Sequence, residues 1–175
     1  MLKVVPNYRQ SGTSWDHNGK SKISQIFIAC SKYRIDSIQF AYVEQDGNVV
    51  LSERIGKIKG FENLKTITFD YPSEYITRVS GSYETYYHGK RYLSSITFDT
   101  NERKYGPYKP FLSDSGVYNT VYEFDYEVGG EFYGFFGTDW RDDGGGIETI
   151  GFYMKPLQVA DRSGSDRATV TSSVY

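Results

Sequence analysis

The chain has 175 residues, with 20 basic against 22 acidic side chains and a formal net charge of −2, a size that suits one domain able to bury its own core. No basic field is available to grip a phosphate backbone, so nucleic acid is not expected as a principal partner. No stretch approaches the ~20 apolar residues of a membrane span, and no membrane partner is expected.

Met1 to Tyr8 lacks the apolar run of a signal sequence, which leads to the expectation of a cytosolic protein. Aromatic residues make up 17% of the chain, with 17 Tyr and 11 Phe, and rings in that number favour pleated, half-buried surfaces over helices. Period-two alternation predicts strands at Ser24 to Ile28, Ile35 to Val43, Asn48 to Ser52, Leu64 to Tyr71, Tyr75 to Ser80, Leu93 to Thr100, Val121 to Tyr126, Phe132 to Phe136 and Thr149 to Met154. Turn signals separate them, among them Asp46-Gly47, Tyr71-Pro72-Ser73, Gly106-Pro107 and Gly129-Gly130. Cys30, at the end of the apolar run from Ile26, has no cysteine to pair with and reads as a buried thiol. The segments around Ile38, Ile67 and Ile96 repeat one pattern at even spacing, a hint of pseudo-symmetry around a common core. After Pro156 the composition turns to small polar residues without periodicity. Residues 1–156 are therefore read as one domain and 157–175 as a flexible tail, with a short partner-binding peptide as the alternative.

The most informative stretch runs from Gly134 to Tyr153, where two aromatic strands flank an acidic loop with three consecutive glycines, Gly144, Gly145 and Gly146. Such a loop presents backbone amides and carboxylates to a hydroxyl-rich ligand, and it also suits a turn that needs positive φ. Asp139, Asp142, Asp143 and Glu148 would offer oxygen ligands to calcium, but their spacing is not that of an EF-hand, and no metal or cofactor is expected. Trp140, in that polar loop, is expected to be exposed for stacking on a ligand, whereas Trp15 is expected to pack. Glu148 has Arg141 as an alternative surface partner. His17 and His88 are far apart with no companion at zinc-ligand spacing. Tyr83 to Tyr92 interleaves aromatic and basic side chains as single-strand binders do, though a hairpin explains it as well. No nucleophile elbow, phosphate loop or metal motif is present, so no enzyme activity is expected.

Gly12-Thr13-Ser14-Trp15-Asp16, Tyr75 to Tyr83, Ser95 to Asn101, Tyr105-Gly106-Pro107-Tyr108, Phe135-Phe136-Gly137 and Ile150-Gly151-Phe152-Tyr153 together resemble the jacalin-related plant lectins. Ile23-Ser24-Gln25-Ile26-Phe27, Ser37 to Phe40, Val50-Leu51-Ser52 and Glu74 to Thr77 narrow the resemblance to the jacalin-like proteins that restrict plant virus infection or movement. The resemblance implies an all-β fold, the β-prism I of three four-stranded antiparallel sheets with pseudo-threefold symmetry. It also implies a sugar site at one end of the prism, built from backbone amides beside a glycine, here Gly12, and from a Gly-x-x-x-Asp loop, here Gly144, Gly145, Gly146, Ile147 and Glu148. Tyr83 falls on the family's variable recognition loop, and Asp139, Trp140 and Asp143 stand in the lengthened loop, where they would supply a replacement carboxylate and stacking ring or, equally, form a solvated loop.

Two departures from the family pattern bear on the ligand. Glu148 stands where Asp is expected, and its extra methylene moves the carboxylate by over ~1 Å, whereas a bidentate grip on two hydroxyls tolerates little displacement. Tyr8-Arg9-Gln10-Ser11 replaces the family's glycine-rich start. Because Gly12 lies inside an uninterrupted chain, the resemblance implies a mannose- or glucose-type preference. Two functions are expected from it: a carbohydrate-binding lectin in antiviral defence, or a platform without sugar that restricts viruses through viral or host proteins. A single site of this kind is shallow, so useful avidity implies self-association, with a homodimer expected.

Overall fold

Alternating apolar and polar residues take up thirteen strands in the computed structural model, which describes residues 1–7, 9–58, 63–86, 89–110, 120–141 and 144–157. They are β1 (Leu2–Val4), β2 (Thr13–Asp16), β3 (Ile23–Cys30), β4 (Ile35–Val43), β5 (Val49–Leu51), β6 (Ile55–Gly56), β7 (Asn63–Thr68), β8 (Ile76–Thr85), β9 (Arg91–Thr100), β10 (Lys104–Tyr108), β11 (Thr120–Glu127), β12 (Gly130–Asp139) and β13 (Ile147–Pro156). Three antiparallel sheets result, ordered β1-β13-β12-β2, β5-β4-β3-β7 and β10-β9-β8-β11. The short β6 also pairs with β4, on the same side as β5, so the second sheet has five strands where four were expected. Residues 52–54 interrupt what would otherwise be one outer strand.

Each sheet sends a phenylalanine into the common core. Phe40 of β4 stacks on Phe135 of β12 at 4.8 Å, and Phe98 of β9 meets the same ring edge-on at 5.9 Å. All three are fully buried, and the offset and edge-on contacts match the ring quadrupoles. Ile38, Ile67 and Ile96 are buried as well. Their even spacing marks core positions and not one equivalent strand per sheet, because β4 and β7 share a sheet.

Four strands lie outside the nine expected from alternation: β1, β2, β6 and β10. β10 contains Gly106-Pro107, which reads as a turn, and here it makes a bulge against β9 between Tyr105 and Tyr108. β8 runs on to Thr85, beyond the expected end at Ser80.

One consequence of the topology positions the site. The first sheet joins the two ends of the domain, with β1 on β13 and β2 on β12, and Thr13 opposite Asp139. Gly12 is thereby brought beside the β12–β13 loop, more than a hundred residues away in sequence.

Candidate functional site

The loop between β12 and β13 is held closed by two backbone bonds: Trp140 N–H to the Gly146 carbonyl and Gly145 N–H to the Trp140 carbonyl, both 3.0 Å. Its glycines are conformationally required. Gly144, Gly145 and Gly146 have φ of 94°, 79° and 100°, a region that L side chains rarely adopt. A Cβ on Gly146 would in addition lie 2.8 Å from the Tyr92 ring. Arg34 ties the loop to the second sheet by donating from Nη2 to the Gly144 carbonyl at 2.8 Å.

Glu148 is at the centre of this end of the prism. Its side chain is buried, the residue being only 3% exposed, and its carboxylate accepts the Gly12 amide at 2.6 Å and the Ser11 amide at 3.0 and 3.1 Å. The Thr138 hydroxyl donates to the same carboxylate at 2.8 Å. Thr138 also meets the Thr149 hydroxyl at 2.8 Å, so the network continues into β13. These contacts satisfy a buried charge as physics demands. They also engage the backbone donors of Ser11 and Gly12. Space is equally scarce, since a Cβ at residue 12 would lie 2.6 Å from the Asp139 carbonyl oxygen and 2.9 Å from Glu148.

Gly12, Asp139, the glycines, Ile147 and Glu148 thus come together, but with roles other than those expected of several of them. Asp139 is fully buried and its Oδ2 accepts the Gly56 amide at 2.9 Å, fastening β6 of the second sheet to β12 of the first. Ile147 is a core residue. Arg141 approaches Asp139 at 3.5 Å and Glu53 at 3.9 Å, so these, and not Glu148 as in the alternative surface pair, are its partners. Asp142 and Asp143, and with them half of the oxygen-ligand set, lie outside the described residues.

Two aromatic expectations are also corrected. Tyr83 is 1% exposed, packs on Phe124 at 4.8 Å, and exchanges hydrogen bonds of 3.2 Å with the amide and carbonyl of Ile150. It is a core residue, remote from any open surface. Trp140 is half-buried, not exposed: its indole donates to the Arg91 carbonyl at 2.7 Å, Lys90 lies 4.9 Å above the ring, and Tyr92 covers it from the side. Lys90 and the start of β9 therefore cap the ring that was expected to stack on a ligand. Trp15 packs in the core against His17 and Phe40.

Sequence reasoning missed Ser11, Thr138 and Tyr92 as participants. Ser11 contributes only its amide, and Thr138 is an ordinary strand residue by composition. Neither carries a signal of its own.

Elsewhere, Asp70, Glu74 and Glu102 gather carboxylates close enough for a cation. Arg103 reaches all three, donating to Asp70 and Glu102 and forming an ion pair with Glu74 at 3.4 Å. His17 hydrogen-bonds Tyr42 at 2.8 Å and lies among rings; burial lowers its pKa from 6.5 against the opposing pull of Glu53 and Asp16. His88 and the chain beyond Leu157 lie outside the described residues.

Three walls of antiparallel sheet with a glycine-and-carboxylate site at one end define a β-prism lectin fold. The chain belongs to the jacalin-like lectin domain family, which it matches over residues 6–153. It is 37% identical over 163 residues to Protein RESTRICTED TEV MOVEMENT 1 of Arabidopsis thaliana, covering 91% of this chain and 87% of that protein. Jacalin-related lectin 24 of the same plant is 34% identical, covering 89% of this chain and 68% of the lectin. Among solved structures, a mannose binding jacalin related lectin from Ananas comosus superposes with a TM-score of 0.65 at 26% identity, covering 90% of this chain and 96% of the lectin.

Proposed function

We propose that this chain is a non-catalytic, cytosolic protein of plant antiviral defence that acts through viral or host protein partners, with the sugar site of its family closed by its own Glu148. The observation that carries this reading is the buried Glu148 carboxylate, bound to the amides of Ser11 and Gly12 and to the Thr138 hydroxyl. To bind there, a sugar would have to displace it. Hydrogen bonds to a charged group contribute about 1.5–3 kcal/mol each, whereas a millimolar lectin site has only about 4 kcal/mol in all. Displacing even two of these bonds offsets most or all of that affinity.

The relation to a protein named for restricted TEV movement supports the defence role. A second reading is retained on one specific ground: the solved relative from Ananas comosus is described as mannose binding. On that reading Glu148 swings outward and a mannose- or glucose-type glycan takes its place.

Plants expressing the chain or its Glu148→Ala variant would be challenged with virus while glycan capture is measured on the purified proteins. Restriction by both, without capture by either, is the expected result. Joint loss of capture and restriction in the variant would overturn the protein-partner reading in favour of the second.

A further inference from the structure

The edge strand β5 differs from the other sheet edges among the described residues in being both uncharged and exposed. Five of the other outer strands carry charge: Lys3 on β1, Asp16 on β2, Lys65 on β7, Lys104 on β10, and Glu123, Asp125 and Glu127 on β11; the sixth, β6, is uncharged but covered, with Ile55 buried and the Gly56 amide bonded to Asp139. Charged side chains on edges are how soluble sheets prevent edge-to-edge pairing. β5 is Val49-Val50-Leu51 with no charge, and its residues are 59%, 46% and 58% exposed.

Its backbone is equally open. Glu44 N–H bonds the Asn48 carbonyl and Ser52 N–H bonds the Phe40 carbonyl, and Tyr42 is opposite Val50 between them. Antiparallel alternation therefore turns residues 48, 50 and 52 toward β4, and turns the N–H and C=O groups of Val49 and Leu51 outward.

We infer that β5 is the seam of a homodimer, pairing antiparallel with β5 of a second copy about a two-fold axis through Val50. In that register Val50 faces Val50 of the second copy as a non-hydrogen-bonded pair, and Val49 faces Leu51 of the second copy. The outward groups of Val49 and Leu51 then exchange four hydrogen bonds, each with a donor and an acceptor already correctly turned. The same axis brings the exposed acidic residue Asp46 of one copy toward exposed Arg54 of the other. This symmetry favours a second copy over a foreign strand, and using both seams closes the assembly. The contact is short, so the dimer forms and dissociates with concentration. The inference deepens the platform reading by supplying its self-association surface, but it does not depend on whether Glu148 closes the sugar site.

The full chain would be examined by sedimentation over a wide concentration range, with Val50→Lys and Val50→Cys variants. The two-fold sets like charges opposite each other in Val50→Lys, so dimerisation should weaken by at least about tenfold. Val50→Cys should cross-link to a dimer on mild oxidation, because non-hydrogen-bonded cross-strand pairs bring Cβ atoms within reach of a disulfide, while a Leu64→Cys control on β7 and the buried native Cys30 stay monomeric. A chain that is monomeric throughout, a dimer indifferent to Val50→Lys, or equal cross-linking by the Leu64→Cys control would each overturn the inference. Such a failure would leave the sugar titration, and hence the reading of Glu148, unaffected.

Discussion

The carboxylate of Glu148 on β13 lies 2.6 Å from the amide nitrogen of Gly12, 136 residues earlier in the chain. Glu148 was expected to replace the family's Asp as a contact for ligand. Its carboxylate instead accepts the backbone amides of Ser11 and Gly12, the contact on which the proposed closure of the sugar site rests.

Tyr83 separates a core role from a recognition role. Tyr83→Phe removes the hydroxyl that bonds both backbone groups of Ile150 and should lower unfolding stability by about 1–3 kcal/mol. Binding to any partner at the prism end should be unchanged. Urea unfolding and a partner-binding titration of the variant measure both.

Phe135 holds the three walls together through its contacts with Phe40 and Phe98. Phe135→Ala should cost about 3–5 kcal/mol in denaturant unfolding. Leu64→Ala, at an exposed position on β7, should stay within about 0.5 kcal/mol of the parent.

Stability should fall as pH drops through the His17 range. Burial holds its folded pKa below 6.5, while Lys20 lowers it further and Glu53 and Asp16 oppose the shift. The unfolded chain therefore binds the proton first. The contribution is complete above about pH 6.5 and is lost as pH falls below it. Comparing urea midpoints at pH 7.5 and 5.8 should show a drop for the parent chain and a smaller one for His17→Asn.

Much of the fold was legible because period-two runs of Ile, Phe and Tyr have few alternatives. Where it was not legible, local geometry had broken the period. On β8 the buried residues Ile76 and Val79 are three apart, because a register shift between Ile76 and Arg78 breaks the alternation. Tyr83 follows Val79 on the same face, but the expected strand stopped at Ser80, short of it. The site was legible in its glycines and in Glu148, whose types are demanded by backbone and charge. Trp140 was misjudged because the groups that cover it, Lys90 and the Arg91 and Tyr92 start of β9, are neighbours only in three dimensions.

The most direct test of the account is a titration of the purified chain and its Glu148→Asp variant with mannose, glucose and galactose at millimolar concentration, by calorimetry or ligand-observed NMR. The account predicts no saturable binding by the parent chain and a gain of mannose or glucose binding in Glu148→Asp, whose shorter side chain releases the amides of Ser11 and Gly12. Saturable binding by the parent chain, abolished in Glu148→Ala, would contradict it.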